Sequence, residues 1–187
     1  MRKLVIFLTL LSAVIFWLTR PAEVQMVEMD AKEEYNAPAV IVEPVELRFN
    51  VSLDAELQEL VYSECMARGI EPEIAVAVIL QENSSFDPSI ISGTNDYGLF
   101  QINKVNHKRM ADLGYVDMLD AEDNIKAGVY ILAECLASSD TYEEALMAYN
   151  MGRAGCNRAM AKGIYSTSYS RGVMAYYEGL KAGESYE

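Results

Sequence analysis

Histidine occurs once in these 187 residues, tryptophan once and cysteine three times. One histidine and three scattered cysteines, with no CxxC pair among them, are badly spaced for a zinc site. Three cysteines are also too few for a disulfide framework. Cys65, Cys135 and Cys156 therefore read as small apolar side chains, at least two of them buried. One disulfide with one thiol left over is the arrangement open to a chain outside the cell. Basic residues are scarce too: 15 stand against 28 acids, a formal net charge of −13. Such a chain does not seek phosphate backbones, which argues against a nucleic-acid partner. There is no internal repeat and no low-complexity tract. The length and a hydrophobic fraction of 51% fit one globular domain plus extras.

The N-terminus carries what the rest lacks, a long apolar run. It reads MRKLVIFLTLLSAVIFWLTR, with Arg2 and Lys3 before a stretch from Leu4 to Leu18 broken only by Thr9 and Ser12. Lipid or a translocation channel is the solvent for such a segment. No A-x-A-like cleavage site follows, and Trp17 and Arg20 stand where an interfacial anchor would end. Residues 1–20 thus read as a hydrophobic helix, a signal-anchor or a signal peptide, with the remainder across the membrane or secreted. Residues 21–51 read as an acidic stalk interrupted by Pro21, Pro38 and Pro44.

From residue 52 to about 183 the pattern becomes helical. Ser52 is placed to cap a helix from Leu53 to about Arg68, which Gly69 ends. Pro72 suits the first turn of a second helix, running to about Asn83. That helix is apolar on every side from Ile74 to Leu80, so it belongs in the middle of the domain. Further helices are expected at Asn124–Leu136, at Thr141–Asn150 with a cap at Asp140 or Thr141, and near Tyr165–Leu180. Between Ser84 and Asn103 the Pro, Gly, Ser and Asn content predicts loop with a small hairpin.

Glu82 ends the apolar helix. A carboxylate there is partly desolvated, which favours its neutral form. A carboxylic acid still protonated near neutral pH is what glycosidic cleavage needs, because the leaving oxygen must take a proton. An ordinary solvated glutamate in a last helical turn is the bland alternative. In the following loop, Gly98 permits positive φ or close approach, and Gln101 and Asn103 present amides suited to sugar hydroxyl and acetamido groups. His107, within the polar run NKVNHKR, reads as solvent-facing. Tyr165, Tyr169, Tyr176 and Tyr177 are candidates for stacking on sugar faces, with packing the default for the last two.

Four blocks follow one another in the chain: ILQENSSFDP, SGTNDYGLFQIN, NIKAGVYIL and ALMAYNMG. In that order they resemble the catalytic domain of soluble lytic transglycosylases, relatives of goose-type lysozyme, over about Leu53–Leu180. The resemblance implies a mainly α-helical, lysozyme-like domain with a small loop or hairpin region. It implies cleavage of the β-1,4 bond between N-acetylmuramic acid and N-acetylglucosamine of peptidoglycan strands, with a 1,6-anhydro product and no metal or organic cofactor. Residue by residue, Glu82 falls on the catalytic acid/base and Gln101 on the loop flooring the cleft. Tyr149 falls on the tyrosine that hydrogen-bonds the catalytic Glu, with Asn150 beside it. Asn124 opens the third block, Tyr169 matches a late cleft-lining tyrosine, and Gln101, Asn124, Tyr149, Asn150, Tyr169 and Asp96 are together expected to bind substrate.

The chain departs from that pattern in three ways. Asn83 stands where a serine usually follows the Glu, and the spacing from there to Phe86 and Pro88 is one residue longer. Asp96 stands where a small residue is usual; it reads as a turn-capping residue, or as a second carboxylate of a hydrolytic muramidase. A non-catalytic wall-binding module, and a part of an envelope-spanning apparatus that opens the wall locally, are the remaining alternatives.

Overall fold

The structure, a computed structural model, describes residues 48–186. The N-terminal hydrophobic helix and most of the stalk lie outside the described residues. Among the described residues no helix is long and apolar enough to cross a membrane. Among the described residues six α-helices, one 3-10 turn and one small hairpin follow in order: α1 Ala55–Arg68, α2 Pro72–Glu82, β1 Asp96–Tyr97, β2 Ile102–Asn103, the 3-10 turn Lys104–Asn106, α3 His107–Asp112, α4 Ala121–Ala137, α5 Tyr142–Met160 and α6 Ser168–Lys181. The two strands pair antiparallel, Asp96 opposite Asn103 and Tyr97 opposite Ile102. The fold is mainly α and lysozyme-like.

α2 is the axis. Every residue from Ile74 to Leu80 is buried, as expected for a helix without a polar face. Pro72 occupies its first turn. α6 runs back along it, because contacts at the two ends pair in reverse. At one end Glu71 accepts hydrogen bonds from Tyr177 (2.6 Å) and Lys181 (2.7 Å). At the other, Glu82 accepts one from Tyr169 in the first turn of α6 (2.7 Å). Tyr177 is buried by this pairing and unavailable to a ligand, and the half-buried Tyr176 packs edge-on against Tyr186. Cys65 and Cys156 are buried, Cys135 is partly buried and all three are free thiols.

Helix ends differ from the expected ones for identifiable reasons. α1 starts at Ala55, after Asp54 and not Ser52, because Val51 and Leu53 enter the core from a bent segment ahead of the helix. The buried Gln58 amide holds them there, donating to the Leu53 carbonyl (2.8 Å) and accepting from Phe49 N (2.9 Å). Tyr186 N also donates to Asn50 O (2.9 Å), so the packed body reaches back to this segment and forward to Tyr186. α4 begins at Ala121, three residues before Asn124, because the Asp120 side chain accepts from Asp123 N, with acids following in the first turn where the helix dipole favours them. α5 is capped by Thr141 and continues past Asn150 to Met160 across a break at Gly152 (φ 72°, ψ 156°). α6 starts at Ser168, where Thr167 and Ser170 cap each other's backbone groups.

The sequence reading had no helix at α3, and it placed His107 in solvent. The ring instead packs edge-on against Tyr97, centroids 4.5 Å apart, and Nε2 donates to the Ile102 carbonyl (3.2 Å). It fastens α3 to the hairpin.

The hairpin is fastened to α4 by Asn124. This side chain is fully buried. Its nitrogen donates to the carbonyls of Tyr97 (2.9 Å) and Met118 (2.8 Å), and its oxygen accepts from Phe100 N (2.8 Å). The expectation that Asn124 binds substrate is therefore corrected: the amide is spent on backbone groups and cannot reach a ligand. Gly98, at φ 72°, lies so close to the Asn124 amide that a Cβ there would collide with it. Replacing Asn124 with Leu leaves two carbonyls and one N–H buried without partners, and is expected to cost about 3–5 kcal/mol in urea unfolding. A loss below about 1 kcal/mol would show that the fastening is not structural.

Candidate active site

A cleft of about 340 Å³ opens at the end of α2. Its lining brings together Glu82, Asp96, Gln101, Tyr149 and Asn150 with Thr94, Ile102, Asn103, Asn106 and Ile131. A larger cavity, about 640 Å³, lies beside Glu71 and Tyr142. Its one hydrogen-bonded carboxylate, Glu71, is held below the usual range by Lys181 and Tyr177, so it offers no proton. The carboxyl with raised proton affinity, Glu82, lines the smaller cleft.

Glu82 is partly buried, and burial is the main reason its carboxyl is pushed up to about 7. The Tyr169 hydroxyl pulls the other way by stabilising the carboxylate, and the charge of Asp96 adds a further rise. Tyr169 itself is held well above its ordinary value by burial and by the Glu82 charge. It stays a donor throughout the physiological range. Glu82 can thus give a proton near neutral pH and take one back.

The expected bond from Tyr149 to Glu82 is corrected. The Tyr149 hydroxyl donates to the Phe100 carbonyl (2.8 Å), and the Glu82 bond belongs to Tyr169. Tyr149 reaches the cleft from α5, and its hydroxyl meets the hairpin turn at Phe100. It holds the cleft floor. Gln101 lies on that floor with positive φ (44°), a conformation that costs of order 1 kcal/mol for a residue with a Cβ. Its nitrogen donates to the Gly98 carbonyl (2.7 Å), which keeps it there. Asn150 is exposed at the rim.

Asp96 behaves as a turn residue. Its oxygens accept from Ser92 Oγ (2.8 Å), Asn103 Nδ2 (2.7 Å) and Thr94 Oγ1. Burial raises its proton affinity, but these three donors outweigh it and leave the carboxyl below its ordinary value. Asn83 turns its amide inward, donating to the carbonyls of Asp87 (2.7 Å) and Gly98 (3.2 Å) and accepting from Ser85 Oγ (2.8 Å). It ties the longer loop to the floor. Among the described residues no cluster of three or more His, Cys, Asp or Glu side chains could hold a metal ion.

The family model described as Transglycosylase SLT domain matches residues 60–169. The chain belongs to this family. Over 91 residues the SLT chain is 38% identical to a membrane-bound lytic murein transglycosylase F of Desulfosudis oleivorans (strain DSM 6200 / JCM 39069 / Hxd3), covering 45% of this chain and 19% of that protein. It therefore spans about a fifth of that relative's length. Among solved structures it is similar to an inactive mutant of the lytic transglycosylase Slt from Pseudomonas aeruginosa. That match has a TM-score of 0.56 and 17% identity, covering 68% of this chain and 24% of that one.

Thr94, Asn106 and Ile131 line the cleft without having been singled out from the SLT chain's sequence. Ile131 had a signal. Asn124, Gly128, Ile131 and Cys135 recur at helical spacing, and this one stripe of α4 meets Phe100, the cleft and its neighbouring cavity in turn. Thr94 lies in a turn and Asn106 ends a single 3-10 turn, Lys104–Asn106, and neither element is long enough for a period to identify it.

Replacing Tyr169 with Phe removes the hydrogen bond that favours the Glu82 carboxylate, so the Glu82 pKa rises. Activity that needs protonated Glu82 is lost as pH rises through that pKa. The wild-type alkaline limb of kcat/KM is expected near pH 7, and that of Tyr169→Phe at higher pH. A limb that stays in place, or moves to lower pH, would show that Tyr169 does not tune Glu82.

Proposed function

We propose that this SLT domain is a peptidoglycan lytic transglycosylase with Glu82 as its single acid/base. The observation that carries the reading is a carboxyl with a proton affinity near neutrality, held by Tyr169 at the edge of a cleft lined by amides. Family membership and the name of its lytic murein transglycosylase relative point the same way.

Glu82 gives its proton to the oxygen linking N-acetylmuramic acid to N-acetylglucosamine, and the bond to muramic C1 breaks. The substrate's own acetamido oxygen bonds to C1 and carries the developing positive charge. Glu82, now a carboxylate, takes the proton of the muramic C6 hydroxyl. The C6 oxygen then bonds to C1 and releases the acetamido oxygen. The product is a 1,6-anhydro end, no water is consumed, and Glu82 is protonated again. The carboxylate left after the first step is stabilised by Tyr169, so that bond strengthens as charge develops.

Two observations weigh against hydrolysis with Asp96 as partner. Both Asp96 oxygens are engaged by neighbouring donors, and its carboxyl is held below its ordinary value. Such a group serves the turn better than it serves a reacting sugar. A pure binding module has no use for a desolvated acid at the mouth of its groove, where it costs stability whenever it ionises. The envelope face of a membrane is where we place the protein, from its apolar N-terminal segment and the membrane-bound relative.

The test is a digest of purified peptidoglycan with the full-length protein beside Glu82→Gln, with products read by mass spectrometry. Anhydro-muramic ends from the wild type and none from the variant are expected. Reducing muramic ends would make the protein a muramidase. No products from either, with glycan binding retained, would make it a binding module.

A further inference from the structure

A second cavity, about 460 Å³, opens from the cleft and shares Asn106, Ile131 and Tyr149 with it. Its remaining wall is made where α5 breaks. Gly152, at a φ and ψ that only glycine adopts readily, interrupts the helix, and Arg153 follows directly. Arg153 is locked in place, donating to Glu144 (2.7 Å), Ser138 Oγ (2.6 Å) and Ser139 Oγ (2.7 Å). Arg109 faces the same cavity from α3 and is held differently. It makes one ion pair, with Glu134 at 2.6 Å, and both side chains are nearly half exposed. Among the described residues its other two nitrogens make no hydrogen bond.

This lining carries two guanidinium groups and one carboxylate, in a chain of net charge −13. The adjoining cleft is lined by two carboxylates and no cation. Arg153 is neutralised by Glu144, so Arg109, which shares one half-exposed carboxylate, is the cation an anion meets at this cavity, whereas the adjoining cleft presents acids alone. A planar guanidinium with open N–H groups matches a carboxylate in fork geometry. We propose that the Arg109 cavity binds the carboxylates of the peptide stems borne by the muramic residues, so that the protein distinguishes stem-bearing from stripped glycan. This rests on the peptidoglycan reading above. A stem bonded to a sugar in the cleft must leave along an adjoining wall, and this cavity is the adjoining one with cationic lining. Glu134 competes with the stem for Arg109, which sets the strength of the preference.

The test measures binding, so it is independent of turnover. Calorimetry compares full-length Glu82→Gln with stem-bearing glycan fragments and with the same fragments stripped by an amidase and then amidated at the lactyl carboxylate that this hydrolysis exposes. Stem-bearing fragments are expected to bind about 10-fold tighter, a single charge-assisted pair at a half-exposed site. Adding Arg109→Ala brings the ratio to about one, and adding Glu134→Gln increases it, because the guanidinium is released. If the pair were only a bridge between α3 and α4, both variants would shift stability alike and leave the ratio alone. That result, equal affinity for the two fragments in the parent, or no binding to either would overturn the proposal. Absence of cleavage products in the digest would refute the transglycosylase reading without changing these affinities.

Discussion

A carboxyl group placed where water cannot fully solvate it is what the rest of the structure is arranged around. α2 has no polar face, so it can exist only as the wrapped axis of the domain. Its last residue then reaches the surface at the mouth of a cleft. The two ends of the α2–α6 pair form a natural control. Glu71 meets a lysine and a tyrosine in the open and is held below its ordinary value. Glu82 meets a tyrosine alone under partial burial and is pushed up to about 7. Both are glutamates hydrogen-bonded by a tyrosine of the same helix. The cation and the solvent decide the sign.

Holding such a group has a cost, and the surrounding contacts offset it. A rise from 4.5 to about 7 corresponds to roughly 3 kcal/mol of destabilisation when Glu82 is ionised. Because the folded pKa lies above the unfolded one, that destabilisation is absent below about pH 4.5 and complete above about pH 7. The floor opposite Glu82 is overdetermined in response. Asn124 holds three backbone groups of the floor and its approach, Tyr149 holds the Phe100 carbonyl, and Asn83 and Gln101 both hold the Gly98 carbonyl. A site whose polar side chains are largely spent on backbone groups is rigid before any substrate arrives, which is what preorganised catalysis requires. The strained φ of Gln101 persists only in such a frame.

Much of this was readable in the sequence where a single physical rule dominates. The all-apolar run Ile74–Leu80 identified both the central helix and the desolvated Glu82. Pro72 and Gly69 marked the helix ends because their backbone preferences are local. Contacts between distant parts of the chain were not readable. Tyr149 and Tyr169 are both tyrosines on cleft-forming helices, and which one meets Glu82 depends on how α5 and α6 cross α2. Asn124 looks like a ligand-binding amide in the sequence, and only the packed hairpin reveals its three backbone partners. α1 begins late because Gln58, a residue inside the helix, holds the preceding chain by its backbone. Continuation of α5 beyond Gly152 is hidden because a glycine with such dihedrals reads as an end.

The central claim is that the Glu82 carboxyl is protonated near neutral pH because of where α2 places it. The most direct measurement is its titration in the full-length protein by carbon-13 NMR, with Glu82→Gln assigning the resonance. The account predicts a midpoint near 7. A midpoint at the ordinary glutamate value of about 4.5 would contradict it, leaving Glu82 ionised at neutral pH with no proton to give.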